Sequence, residues 1–115
     1  MLRTFYRSKI NKAVVTGKEL HYNGSIGIDS AIIKAADILP GEQVHVLNVD
    51  SGDRFVTYVI EERSGSGKIV LYGPAARCGE IGDEIVIITY CSATEEEYKK
   101  AKKRKVSLKN NNKIK

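Results

Sequence analysis

The chain has 115 residues, 42% hydrophobic and 29% charged, the size and composition of one folded domain (residues 1–115) with a modest core. No stretch approaches the roughly 18 apolar residues of a membrane span, and Met1 to Arg7 lacks an apolar signal core, so a cytoplasmic protein is expected. The formal net charge of +5 suggests an acidic partner, but the charge is unevenly placed. From Met1 to Thr94, 10 Lys and Arg stand against 11 Asp and Glu; from Glu95 onward the counts are 9 and 3. The body is near neutral and the tail carries the excess. Cys78 and Cys91 are too few for a disulfide framework and have no metal-ligand spacing, so reduced structural thiols are expected.

In chain order, Thr4 to Ile10 reads as extended and Lys12 to Thr16 as a strand. Gly24-Ser25 reads as a turn ahead of a short helix, Ala31 to Asp37, capped by Asp29-Ser30 and stopped by Pro40-Gly41. Gln43 to Asp50 and Arg54 to Glu62 are β-rich runs on either side of Ser51-Gly52-Asp53, which makes a hairpin. A second turn, Ser64 to Gly67, leads to a strand from Lys68 to Tyr72, and Pro74 to Cys78 fits a single helical turn. After the turn Gly79 to Asp83, the strand Glu84 to Cys91 carries an Ile-Val-Ile-Ile centre that reads as buried on both faces. Thr94 and Glu97 form a capping box, with three Glu at the start of the helix and Lys99 to Lys105 toward its end. Residues 99–115 read as the basic end of that helix and a frayed tail. Short strands separated by turns predict a mainly β fold, a small barrel or sandwich, with a few short helices.

Generic motif searches are negative. There is no Gly-rich phosphate loop, no HExxH and no CxxC pair. His21 and Ser25 lack the G-x-S-x-G setting of a hydrolase, and His45 falls inside a strand pattern as a structural residue. The segment His21-Tyr22-Asn23-Gly24-Ser25-Ile26-Gly27-Ile28-Asp29 is the most distinctive. It resembles the self-processing segment of the pyruvoyl-dependent aspartate decarboxylases. The resemblance extends through Leu2-Arg3-Thr4, Lys9-Ile10, Arg54-Phe55, Thr57-Tyr58, Gly73, Ala75-Ala76-Arg77 and Gly82-Asp83, covering residues 2 to about 98.

That resemblance implies a small double-psi β-barrel and a homotetramer with active sites at subunit interfaces. It implies decarboxylation of L-aspartate to β-alanine and CO2, for pantothenate and coenzyme A biosynthesis. Its cofactor would be a pyruvoyl group made from Ser25 when the chain cleaves itself between Gly24 and Ser25. The products would be residues 1–24 and 25–115. The pyruvoyl ketone forms a Schiff base with the substrate amine and takes up the electrons of decarboxylation, which no ordinary side chain can do. By the same resemblance Thr57 assists cleavage, Tyr58 is the proton donor, and Lys9 and Arg54 meet the substrate carboxylates. Thr57, Gly73, Pro74 and Ala75 would line the substrate pocket. Asn11, Tyr72 and Pro74 depart from the residues common in the family.

A regular strand separates Arg54 from Tyr58 by about 13 Å and turns Thr57 and Tyr58 to opposite faces. One pocket collects all three only if the strand bends or a second subunit contributes. The interface site that the resemblance implies fits the second, so Lys9, Arg54 and Ser25 are expected not all to come from one chain. The alternative from another class is a small barrel that binds nucleic acid through its basic C-terminal tail.

Overall fold

The computed structural model describes residues 1–115. It holds nine strands: β1 (Arg3–Val14), β2 (Gly17–Glu19), β3 (Ser25–Asp29), β4 (Gln43–Asn48), β5 (Arg54–Glu62), β6 (Ile69–Tyr72), β7 (Glu84–Ala93), β8 (Arg104–Lys109) and β9 (Lys113–Ile114). The helices are α1 (Ser30–Ala35), α2 (Glu95–Lys100) and short 3-10 turns at Gly73–Arg77 and Asn110–Asn112. The mainly β expectation, with few short helices, is met. No helix is long and apolar enough to cross a membrane.

The strands hydrogen-bond in the order β2-β6-β3-β5-β4-β7-β1-β8-β9. β1 and β2 lie far apart in that order, yet only Val15 and Thr16 join them. So short a link spans about 10 Å at most. The sheet must therefore curl until these strands meet. Thr16 seals the seam, donating its N–H to the Ile69 carbonyl at 2.8 Å while its Oγ1 accepts from the Ile69 N–H at 2.9 Å. Val15 pairs in the same way with the next turn, through Asp83 and Gly82. Inside the curl, one cluster of aliphatic side chains, including Ile10, Ile26, Val46, Leu71, Ile85 and Ile87, is fully buried.

Several elements differ from the sequence-based expectations. The two N-terminal segments are one strand, interrupted by an irregularity between Ile10 and Ala13 where Lys12 has φ of 59°. Such a bulge bends the strand without ending the ladder. Ser25 to Asp29, read as turn and cap, is a strand whose five residues are all buried. In β7 Ile85, Ile87 and Ile88 are buried and Val86 is half-buried, so the expectation of a centre buried on both faces holds only in part. The capping box forms as predicted: the Thr94 hydroxyl accepts from the Glu97 N–H, and the Glu97 carboxylate from the Thr94 N–H.

The C-terminal tail is the largest correction. Residues 99–115 are not a basic helix end followed by fraying. α2 stops at Lys100, and Arg104–Lys109 forms β8, parallel to β1 with Ile10 opposite Val106. Val106 and Leu108 enter the core. Asn112 is buried and bonded to three backbone groups, accepting from Val14 N–H and donating to the carbonyls of Val14 and Gly67. Tertiary packing overrides a local composition of Lys and Asn that disfavours strand.

Asn112→Ala strands those three backbone groups, and a loss of about 2 kcal/mol is expected. Urea unfolding measures it; an unchanged midpoint contradicts the anchoring role. Asp29 lies in the same neighbourhood. Burial opposes its charge, but N–H donors of Gly67, Gly65 and Ala31 outweigh that effect, and Lys113 adds attraction, so its carboxyl titrates below its usual value. Its stabilising contribution is complete above the unfolded value near 3.8 and is lost as the pH falls through the lower folded value. The stability gap between wild type and Asp29→Asn is therefore expected to shrink below about pH 4, followed by acid-dependent urea titrations.

Candidate active site

The parallel pairing of β3 with β5 begins at Ile26 opposite Val59. One residue earlier in that register, Ser25 lies level with Tyr58. From Arg54 to Tyr58, β5 pairs with β4 alone. Its other edge is open. The 3-10 turn Gly73–Arg77 stands across from that edge and Gly24 closes one end, leaving a cleft of about 340 Å³. Gly24, Thr57, Tyr58, Pro74 and Ala75 all line it. Five residues predicted from the motifs thus converge from three separate segments.

The open edge also resolves the tension over strand faces. Along β5 the outward positions are the exposed Arg54, Val56 and Tyr58, and the inward ones are Phe55, Thr57 and Val59. A cleft running along an unpaired edge is reached from both faces, so Thr57 and Tyr58 share it without a bend in β5.

Ser25 follows the lining residue Gly24, is itself buried, and is not part of the lining. Its hydroxyl donates to the Asn23 carbonyl at 3.2 Å. Gly73 bears directly on this segment. It has φ of 65°, and a Cβ there would lie 2.6 Å from the Tyr22 carbonyl oxygen and 2.8 Å from Gly24 Cα. Only glycine permits that approach. Asn48 sets the opposite end of the turn by donating to the Cys78 carbonyl at 3.1 Å and the Asp83 carboxylate at 2.9 Å.

Lys9 and Arg54 do not line the cleft. Arg54 donates to the Tyr90 hydroxyl at 3.1 Å, and the Lys9 ammonium lies 5.3 Å from the Tyr6 ring centroid. Sequence reasoning missed Phe55, Val56 and Cys78, which complete the lining. Phe55 and Val56 flank Thr57 on the open edge, a position that only strand pairing discloses. Cys78 follows the 3-10 turn directly and could have been read from its proximity to Pro74. Among the His, Cys, Asp and Glu residues no group is arranged to hold a metal ion.

A family model described as aspartate decarboxylase matches residues 1–115. The chain belongs to the aspartate decarboxylase family. It is 50% identical over 110 residues to an aspartate 1-decarboxylase of Kosmotoga olearia, covering 96% of each chain. It is 47% identical over 114 residues to one of Caldicellulosiruptor saccharolyticus, covering 99% of this chain and 89% of that relative. With a Staphylococcus aureus aspartate 1-decarboxylase the identity is 52% over 99 residues, 86% of this chain and 78% of the relative.

Within this family member, Gly73→Ala forces a left-handed residue with a side chain against Tyr22 and Gly24. A loss of about 2–4 kcal/mol is expected from the strain and overpacking together. Thermal unfolding tests this, and an unaltered melting temperature contradicts the close approach.

Proposed function

We propose that this chain is a self-processing, pyruvoyl-dependent aspartate decarboxylase, a carboxy-lyase that converts L-aspartate to β-alanine and CO2. One observation carries the reading: in a member of this family, the Gly24-Ser25 pair heads a buried strand beside a cleft that also receives Thr57 and Tyr58.

Cleavage begins when Ser25 Oγ attacks the Gly24 carbonyl carbon, turning the amide into an ester and freeing the Ser25 amine. Removal of the Ser25 α-proton then expels Gly24 as a carboxylate and leaves dehydroalanine at position 25. Water hydrolyses this enamine to the ketone and releases ammonia. Several features of the chain fit this sequence. Gly24 has no Cβ to obstruct the attack, and Thr57 lines the same cleft, from which its hydroxyl would donate to the developing oxyanion. Pro74 lies against the Gly24 backbone, where a Cβ on Gly24 would meet the proline ring at 3.3 Å. The pyruvoyl group so formed would supply the electron sink for decarboxylation.

The remaining work falls to ordinary side chains. Tyr58 is exposed at the cleft and level with position 25, suited to return a proton to the former α-carbon of the substrate. Thr57, Pro74 and Ala75 line the cleft read as the substrate pocket, whereas Gly73 is not in the lining and packs against Tyr22 and Gly24. Pro74 contributes no N–H, so donors from this turn come from its neighbours. Lys9 is on β1, and Arg54, beside Phe55 at the start of β5, donates to Tyr90 instead of lining the cleft. The absence of both cations from the lining supports a homotetramer in which one subunit's cations meet the substrate carboxylates in another's cleft.

Intact mass of the purified protein is expected to give fragments 1–24 and 25–115, the latter beginning with a carbonyl. Ser25→Ala is expected to stay whole. A single uncleaved wild-type chain after long incubation, with no β-alanine formed, refutes the proposal. In the mature enzyme Tyr58→Phe is expected to lower kcat by about a hundredfold or more while cleavage proceeds. Coexpressing Arg54→Ala with Ser25→Ala chains is expected to restore activity that neither has alone, which a site built within one chain does not allow.

A further inference from the structure

The segment from Leu20 to Gly24 precedes β3 and lies outside the strands. Its two functional atoms, the Gly24 carbonyl carbon and the neighbouring Ser25 Oγ, must stay aligned for the acyl shift. Misplacement by about 1 Å can cost two orders of magnitude in rate. The Ser25 hydroxyl has an alternative acceptor in the Asn23 carbonyl. Something must therefore set the position of residues 22–24 relative to Ser25.

Tyr72 is placed to do this. Its backbone lies opposite Ser25 in the antiparallel β3–β6 pair. Its hydroxyl donates to Glu62 Oε2 at 2.7 Å. Its ring lies over Gly27, where an added Cβ would stand 2.9 Å from Tyr72 Cε2 and would also strike the Glu62 carboxylate. The Tyr72 side chain is thus fixed at its backbone, its face and its tip. Burial and the adjacent Glu62 push the hydroxyl up to about 12, so it stays a donor through the neutral and mildly alkaline range. The same braced ring meets Tyr22, with centroids 4.8 Å apart and planes inclined by 39°. Tyr22 is otherwise 59% exposed. One residue past Tyr72, Gly73 presses on the Tyr22 carbonyl and Gly24 Cα. Side chain and backbone of the cleavage segment are gripped by consecutive residues of β6 and its turn.

We propose that Tyr72, braced by Glu62, is a positioning residue for self-cleavage: it holds the Tyr22 ring and thereby keeps the Gly24 carbonyl aligned with Ser25 Oγ. This rests on the reading that the chain cleaves itself between Gly24 and Ser25. Aromatic contacts of this kind contribute modestly on their own, but here the contact acts on alignment rather than on global stability.

The experiment is a time course of cleavage by intact mass for wild type, Tyr22→Ala, Tyr72→Ala, Tyr72→Phe and the Tyr22→Ala/Tyr72→Ala double variant. Unfolding midpoints are measured in parallel on a Ser25→Ala background. Each alanine variant is expected to slow cleavage about tenfold or more. Tyr72→Phe keeps the ring and loses only the Glu62 bond, so it is expected to recover most of the rate, to within about threefold of wild type. Because both alanine variants break one contact, the double variant is expected to be no slower than the slower single variant. Wild-type cleavage rates in Tyr22→Ala and Tyr72→Ala overturn the proposal, as do multiplicative effects in the double variant. Slowing in Tyr72→Ala alone, matched by a lower unfolding midpoint and absent from Tyr22→Ala, also overturns it, since that pattern marks a purely structural tyrosine. If Tyr72→Ala fails to fold, the exposed Tyr22→Ala and the conservative Tyr72→Phe decide. A wild-type chain that never cleaves removes the processing reading itself and this inference with it, whereas a wild type that cleaves beside unaffected variants removes this inference alone.

Discussion

The connection of two residues between β1 and β2 constrains everything else in the structure. Val15 and Thr16 carry the chain between strands far apart in the hydrogen-bonding order. A flat sheet cannot satisfy so short a link, so the sheet curls and its seam is closed by reciprocal bonds between Thr16 and Ile69. Curling brings the inward aliphatic residues of several strands into one cluster and leaves no room for a covering layer of long helices. Of the short helices, α1 adds Ile32 and Ile33 to that cluster, whereas α2 buries no residue.

The site follows from the same geometry. β6 is held at the seam by Thr16 and pairs with β3 on its other side, and β3 in turn pairs with the second half of β5. Since β3 starts at Ser25, the first half of β5 has no neighbour on that edge. The gap this leaves is the cleft, and Gly24, which lines it, directly precedes the buried Ser25 at the head of the short strand. An unpaired edge is ordinarily a liability for association. Here the Gly73–Arg77 turn and Gly24 border it, and Val56 and Tyr58 are exposed along it.

Local signals read well where they act over three or four residues. Thr94 and Glu97 announce a capping box that forms in full, and Ser51-Gly52-Asp53 announces the β4–β5 hairpin. The motif residues Gly24, Thr57, Tyr58, Pro74 and Ala75 were legible and meet at one cleft. β3 was not legible, because Gly24, Gly27 and Asp29 carry the composition of a turn. Gly27 is instead required where Glu62 and Tyr72 pack onto the strand, and Asp29 is buried because three backbone N–H groups serve it. The tail was misread for a related reason. Asn112 has no strand or core signature, and its value lies in matching the carbonyls and N–H of segments 45 and 98 residues away.

From its residues alone, this chain discloses a small, mainly β domain and, by resemblance, its family and a set of candidate residues that includes Gly24, Ser25, Thr57 and Tyr58. Such features depend on short-range chemistry: turn residues, caps, alternating side chains and motif spacing. Only the folded chain decides which edge of β5 stays open, that Thr57 and Tyr58 can share a cleft, that Lys9 and Arg54 stand apart from it, and that the basic tail is a strand anchored by Asn112. Those outcomes depend on register and closure. Register is settled by pairings between distant segments, and no local pattern carries that information.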